Sequence, residues 1–500
     1  MMLQRIAHSI FFLLVFIGFN LGSLDLSAQS NRDEPSVGGS SKKSGKTRTY
    51  KKARVLQPST AKKIVKIAEA LERQKIIKVP DPDNKGQFIE KEEDDPDWVL
   101  AKRILTELLN KRSELKSYDR SVMWNYWGYV YFSAENYEKA MYAYEQLLLE
   151  PEATISLRTA SLLTLAQLNL VQENYDKGIA LILQWMDEVE TVTAQSYSLL
   201  AMAYYQKEDF VRARSSMEEA IRLAEEVELY RPKENWYSLL VACLSELKDQ
   251  KVISESYSLE QQLILLEILV NYYPKKIYFI QLGGIYAQMD REIDYMITLK
   301  AAYDKDLLDK EGEYLALAQL LLLNKNPYWA AQVLVAGQNK KITIKDEKTG
   351  EEEVIPVIKD NEKNLKLLAD SWRMAQEIDK AIPVLEKAAK MSKDGDTYVL
   401  LGNLYLFEDR MQDSIKAIEA GLKKPKVKSR SQAQLVLGQA YFELENFVEA
   451  KKQFRAAARD KNKRIKKTAN SWIKYAENEE IRVKNLALRR DFIQKSKKAS

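Results

Sequence analysis

Along most of this chain, apolar residues recur at three- and four-residue intervals, the spacing that gathers them on one face of a helix. From residue 118 to 462 such stretches follow one another with short polar breaks, which predicts a run of amphipathic helices. Two short stretches follow a strand pattern instead. Ile342-Thr343-Ile344 and Val354-Ile355 flank a polar Asp346–Gly350 turn and predict a β-hairpin. Ile76-Ile77-Lys78-Val79 and Phe88-Ile89 flank Pro80–Gly86 in the same way, with the strongly acidic Glu90–Asp97 behind them.

The helical stretches repeat. The clearest copy has Trp124, Trp127, Gly128, Tyr131, Ala140, Tyr144 and Pro151. This resembles the tetratricopeptide repeat template W-x2-L-G-x2-Y, A-x3-F, P, with Trp127 in place of Leu and Tyr144 in place of Phe. The frame recurs at Tyr197-Leu200-Ala201-Tyr204, at Phe279-Leu282-Gly283-Tyr286, at Tyr398-Leu401-Gly402-Tyr405 and at Leu437-Gly438-Tyr441. Weaker copies carry Ala166, Ala318 and Ala369, and a distorted one begins at Trp236. With the small residue as marker, adjacent copies lie 38, 35, 39, 43, 35, 51, 33 and 36 residues apart, near the 34-residue tetratricopeptide period. The expected fold is all-α: a right-handed α-solenoid of about nine helix pairs with irregular end caps and one or two hairpin insertions. The spacing of 51 is assigned to the insertion at 339–361, and that of 43 to a lengthened turn at Lys251–Ser258. Repeat packing is assigned to Trp124, Gly128, Tyr131, Ala140, Ala201, Gly283, Ala318, Ala369, Gly402 and Gly438. The small residues let the two helices of a pair approach closely.

The ends differ from the middle. Arg5 precedes an apolar run from Ile10 to Leu21 broken only by Gly18 and Asn20, and Leu26-Ser27-Ala28 offers a small cleavage site. That is the shape of a secretory signal, so residues 1–28 are read as a signal peptide cleaved after Ala28. An uncleaved anchor is the alternative. No cysteine follows the run, which excludes a bacterial lipid anchor. The expected location is the periplasm. Residues 29–58 hold eight Lys/Arg against two acids and almost no large apolar side chain, which predicts a flexible basic linker. The further organisation is an irregular helix pair at 59–117 with the acidic insertion, an array at 118–338 and 362–462, and a capping helix with basic tail at 463–500. Residues 451–500 hold seventeen Lys/Arg against five acids, although the whole chain is only +5, so its middle is net acidic. Basic ends of this kind are either a solubilising polar cap or a contact with anionic membrane or cell-wall polymer.

Composition removes several chemistries. His8, inside the signal, is the only histidine, so the mature chain lacks Ser-His-Asp, Cys-His and HExxH sites. Cys243 is the only cysteine, which leaves no disulfide within the chain and no zinc cluster; it stands where other copies have tyrosine and is read as a core thiol. Gly283-Gly284 lies inside a helix and lacks any phosphate-loop pattern. The abundant aromatics fall mainly at repeat core positions, so base stacking is not implied and nucleic acid is not an expected partner. Nothing points to a cofactor or metal.

What remains is the face that the first helix of each pair turns toward the solenoid groove. Asn125, Tyr129, Gln167, Met202, Tyr205, Gln319, Asp370, Asn403 and Gln439 are placed there. Amides and aromatics together suit an extended peptide, gripping its backbone and filling side-chain pockets. The Lys/Asn set of chaperone-type carboxylate clamps is missing. The other reading is a merely solvated groove, and the two insertions are likewise either docking elements or solvated decoration.

Several stretches resemble exported tetratricopeptide proteins encoded beside TonB-ExbB-ExbD energy-transduction genes in gammaproteobacteria. They are Tyr118–Tyr131, Asn235–Leu247, Pro327–Leu334, Glu362–Trp372 and Lys467–Tyr475. The resemblance spans roughly residues 55 to 475; both insertions and the basic tail depart from it. It implies a non-enzymatic periplasmic scaffold assisting TonB-linked uptake, with TonB-, ExbB- or ExbD-type partners. A scaffold in outer-membrane or envelope polymer assembly is the second reading, and a carboxylate-based enzyme the third.

Overall fold

The computed structural model describes residues 54–80, 88–345 and 352–499. The expected signal peptide, nearly all of the basic linker and the tips of both hairpins lie outside them. The chain divides into two compact units, Met1–Gln261 and Gln262–Ser500. The described residues are all-α apart from two small antiparallel hairpins, and each unit is a stack of helix pairs, as the repeat spacing predicts.

The first unit opens with α1 (Pro58–Leu71), the hairpin β1 (Gln74–Pro80) and β2 (Phe88–Asp94), and α2 (Trp98–Asn110). Three helix pairs follow: α3 (Ser117–Ser133) with α4 (Tyr137–Leu148), α5 (Ile155–Val171) with α6 (Tyr175–Glu188), and α7 (Ala194–Gln206) with α8 (Phe210–Arg222). Next come α9 (Glu234–Asp249) and α10 (Glu255–Tyr272), the helix within which the unit boundary falls. The second unit continues with α11 (Lys276–Gln288) and α12 (Glu292–Asp304), then α13 (Glu311–Leu323) and α14 (Pro327–Asn339). After the hairpin β3 (Lys341–Lys345) and β4 (Glu352–Pro356) come α15 (Glu362–Met374) and α16 (Ile378–Met391), α17 (Asp396–Phe407) and α18 (Met411–Leu422), then α19 (Arg430–Glu443) and α20 (Phe447–Ala457). A single long helix, α21 (Lys463–Ala499), closes the unit.

Each pair is made by a tight reversal. In all nine, a residue just past the end of the first helix takes a φ between 55° and 64°, from Glu135 to Glu445, and none is glycine. The next amide reaches back over the helix end, as Asn136 N–H does to the Tyr131 carbonyl (2.9 Å) and Asn446 N–H to Tyr441 (3.0 Å). In three pairs that residue's side chain also caps the second helix: Asn136 accepts from Lys139 N–H, Asp209 from Arg212 N–H and Asn446 from Glu449 N–H.

Close approach of the two helices rests on the small positions. A Cβ on Gly128 would lie 2.6 Å from the Tyr144 ring, one on Gly402 would lie 2.2 Å from Ile418 Cγ1, and one on Gly438 would lie 2.5 Å from the Phe454 ring. Ala140, Ala201 and Ala318 have no exposed surface, Trp124 and Ala369 are buried, and Tyr131 is half-buried and stacked on Trp127. Successive first helices approach one another, α3 to α5 and α7 to α9 in the first unit, α17 to α19 in the second, more closely than any second helices do. Each of these stacks therefore curves with its first helices inward.

Three local readings change. The 43-residue spacing does not come from a long turn: Gln250–Ser254 is short, and the added length lies in α9 and α10, of 16 and 18 residues. The end of the basic linker is docked, since Arg54 donates to the Glu152 and Ala153 carbonyls and Gln57 N–H to the buried Asp119 carboxylate. The basic tail, expected to be helical at first and frayed at its end, continues α21 as helix to Ala499. Both hairpins form. The acidic stretch Glu90–Asp94 is strand β2, and Glu93 pairs with Lys75 opposite it (3.2 Å). The foot of the second hairpin packs on α14, where Ile358 N–H donates to the Gly337 carbonyl (2.9 Å).

Candidate functional site

The residues assigned to the groove sit on first helices, and most share one repeat position. Tyr129, Gln167, Met202, Gln319, Asp370, Asn403 and Gln439 each directly follow the small residue of their copy. The small residue faces the partner helix, so the following residue is turned about 100° away from it, onto a neighbouring face. All seven are half-buried except Gln319, which is exposed. They form two sets. Asn125, Tyr129, Gln167, Met202 and Tyr205 lie on α3, α5 and α7 of the first unit; Gln319, Asp370, Asn403 and Gln439 lie on α13, α15, α17 and α19 of the second.

Neighbouring contacts fix several of them. The Tyr129 ring lies 6.1 Å from Trp98, and Tyr205 meets Phe210 edge-on at 5.2 Å. Burial pushes the Tyr205 phenol up to about 12, so it stays neutral and available as a donor. In the second unit the polar groups are partly engaged by their own helices. The Asn403 amide donates to the Val399 carbonyl (2.9 Å), and Asp370 pairs with Arg373 (3.2 Å).

Sequence reasoning missed three arrangements. A polar cleft of about 720 Å³ opens on the first unit between α4 and α6, lined by Met141, Tyr142, Asn169 and Tyr175. Its rim is crossed by the ion pairs Lys177–Glu145 (2.6 Å) and Lys207–Asp176. Second, two bidentate arginine–glutamate pairs recur 38 residues apart, Arg120–Glu150 (both bonds 2.7 Å) and Arg158–Glu188 (2.8 and 3.0 Å). Their shift equals the Gly128–Ala166 spacing, a signal that was available. The hydrogen bond from Arg158 holds the Glu188 carboxyl below its usual range. Third, tyrosines of the second unit tie three first helices, α11, α17 and α19, to the second helix before them: Tyr286 donates to Glu267 (2.7 Å), Tyr441 to Glu419 (2.7 Å), and Tyr405 to Glu386. Arg291 and Arg410 lie over the Tyr286 and Tyr405 rings at 4.7 and 4.4 Å. Cys243, at the equivalent position of α9, is fully buried, and burial pushes its thiol up to about 12. Among the described residues no group of three or more His, Cys, Asp or Glu could hold a metal ion.

Residues 194–227, the α7–α8 pair and the turn after it, match the tetratricopeptide repeat family. That pair is a tetratricopeptide repeat. No curated protein matches the chain. Among solved structures, the chain is similar to MamA (18% identity over 35% of this chain and 92% of that one, TM-score 0.28). It is similar also to YrrB, described as a TPR protein with an unusual peptide-binding site (12%, 41% and 96%, TM-score 0.32). A third is the TPR2AB-domain:pHSP90 complex of yeast Sti1 (11%, 58% and 98%, TM-score 0.31).

Proposed function

We propose that this tetratricopeptide-type protein is a scaffold that holds an extended segment of another polypeptide against the inward faces of its first helices. The observation that carries this reading is the recurrence of half-exposed amide, thioether and aromatic side chains at one repeat position, Tyr129, Gln167 and Met202 on α3, α5 and α7. Amides can pair with an extended backbone at intervals, and the aromatic and thioether groups between them give apolar side chains a place to settle. The location we propose is the periplasm, supported by the Arg5, Ile10–Leu21 and Ala28 pattern. The system we propose is TonB-linked uptake, supported by the resemblance across Tyr118–Tyr131 and Lys467–Tyr475.

Crosslinking in intact cells followed by purification tests both parts. Recovery of TonB-, ExbB- or ExbD-type components is expected, and recovery of envelope-assembly machinery alone refutes the uptake role. Replacing Gln167, Gln319 and Asn403 together by Ala should weaken capture without changing the helical circular dichroism; undiminished capture rejects the groove. Sequencing the N-terminus of the mature protein should give Gln29, and an N-terminus at Met1 in a cytosolic fraction rejects the periplasmic assignment.

A further inference from the structure

The last helix has two faces of different character. Ile465, Ala469, Trp472, Ala476 and Val483, spaced by three, four and seven residues, form the stripe of α21 that packs on α19 and α20. Trp472 stacks on Phe454 (5.5 Å between ring centroids), and Lys451–Glu480 (2.6 Å) fastens the same side. The opposite face is solvent-exposed. It carries Lys463, Lys467 and Lys474, with Lys466 beside them, and at the same seven-residue interval continues into Ile481 and Leu488. The four lysines line one shallow depression with Asn470 and Ser471, span about 16 Å along the helix axis, and have no ion-pair partner among the described residues. Ile481 and Leu488 are 59% and 61% exposed; Lys484 lies between them on this face, and the flanking acids Glu477 and Asp491 are paired with Arg455 and Lys495.

We propose that this outward face of α21 rests on an anionic lipid bilayer. The lysines meet the phosphate head groups, and Ile481 and Leu488 enter the boundary between head groups and acyl chains. Charge decides the sign of the partner, because four unpaired cations stand in a row facing water. The apolar pair decides between a membrane and a soluble polyanion. Two exposed branched side chains on the cationic face gain nothing from a polymer in water, but gain burial at a lipid interface. This goes beyond the scaffold reading and does not depend on it. Fastened through Trp472, the helix would bring the second unit to the membrane.

The test is sedimentation of the full chain with vesicles of phosphatidylglycerol and phosphatidylcholine, against vesicles of phosphatidylcholine alone and against soluble polyphosphate. Binding to the anionic vesicles and not to the neutral ones is expected. Each lysine near the surface is worth about a fivefold factor, so K463Q/K466Q/K467Q/K474Q should lower partitioning by nearly three orders of magnitude, about 600-fold. Ile481→Ser with Leu488→Ser should lower vesicle binding about tenfold or more while leaving polyphosphate binding unchanged. All six side chains are exposed, so the fold survives these changes. Equal binding to both vesicle types, full binding by the four-lysine variant, or vesicle binding unaffected by the serine pair would overturn the proposal. The last result would identify a polyanion as the partner.

Discussion

Replacing Gly438 by Ala should destabilise the α19–α20 pair, although alanine is the better helix former. The added Cβ would lie 2.5 and 2.6 Å from Phe454 Cε1 and Cδ1. Phe454 has no exposed surface, and its ring is stacked on Trp472, so it has nowhere to retreat. Overpacking of a tight core costs about 1–3 kcal/mol. Exchanging Gly for Ala within a helix returns about 1 kcal/mol. With the ring blocked on its far side, the upper part of the first range applies, leaving a net loss of about 1–2 kcal/mol. Hydrogen–deuterium exchange resolved by peptide reads this locally, which matters because a chain of two compact units need not unfold in one step. Amides of α19 and α20 should exchange about 5–30 times faster. Gly284 is the internal control. It lies within α11, and a Cβ there meets nothing within 4 Å, so Gly284→Ala should slow exchange in α11, by about 1 kcal/mol of added stability. Adding Phe454→Leu to Gly438→Ala should recover part of the loss, because the clash and the ring go together. If Gly438→Ala leaves exchange unchanged or slows it, the close-approach account of the small repeat position is wrong.

Three further outcomes are expected. Tyr286 and Tyr441 are pushed up from 10.0 to about 12, by burial first and then by their bonds to Glu267 and Glu419; their contribution to stability is therefore complete below about pH 10 and lost as pH rises toward 12. Alkaline unfolding should become shallower in Tyr286→Phe/Tyr441→Phe, and an unchanged profile speaks against the inter-pair bonds. Glu188 is held below its usual range chiefly by Arg158, so the pair stabilises above the ordinary value of 4.5 and fails as pH falls through the lowered one. Arg158→Met should cost up to about 1 kcal/mol near neutrality, and Glu188→Gln should remove part of the acid sensitivity, both read by urea unfolding. Cys243, with its thiol pushed up to about 12, should resist a disulfide reagent at pH 8 in the folded protein and react fully in denaturant; rapid labelling of the folded chain would show that α9 opens.

The features legible in the sequence were those carried by residue type at fixed spacing. Gly128, Gly402 and Gly438 announced close helix approach, because only a missing Cβ admits Tyr144, Ile418 or Phe454. Both hairpins showed as alternation against a helical background. The turns were less legible: glutamate, aspartate and lysine give no sign of a left-handed backbone, which the following cap residue and the packed helices impose. Glu267, Glu386 and Glu419 were invisible as partners because each belongs to the copy before its tyrosine, and a motif read one repeat at a time does not join them. In α21 the polar residues hid the length of the helix. Its two faces separate only once Ala469, Trp472 and Ala476 are known to be the buried ones. In the groove, position was readable but engagement was not, since Asn403 and Asp370 bond within their own helices.

The nine reversals have a consequence for how such a chain can vary. Each left-handed residue holds its place through backbone hydrogen bonds, so its side chain is left at liberty to change. Six of the nine are acidic: Glu135, Glu173, Glu208, Asp290, Asp409 and Glu445. Within each unit these corners work as a rheostat. Exchanging carboxylate for amide or amine, one corner at a time, would retune the surface field in unit steps while the helices beneath stay as they are.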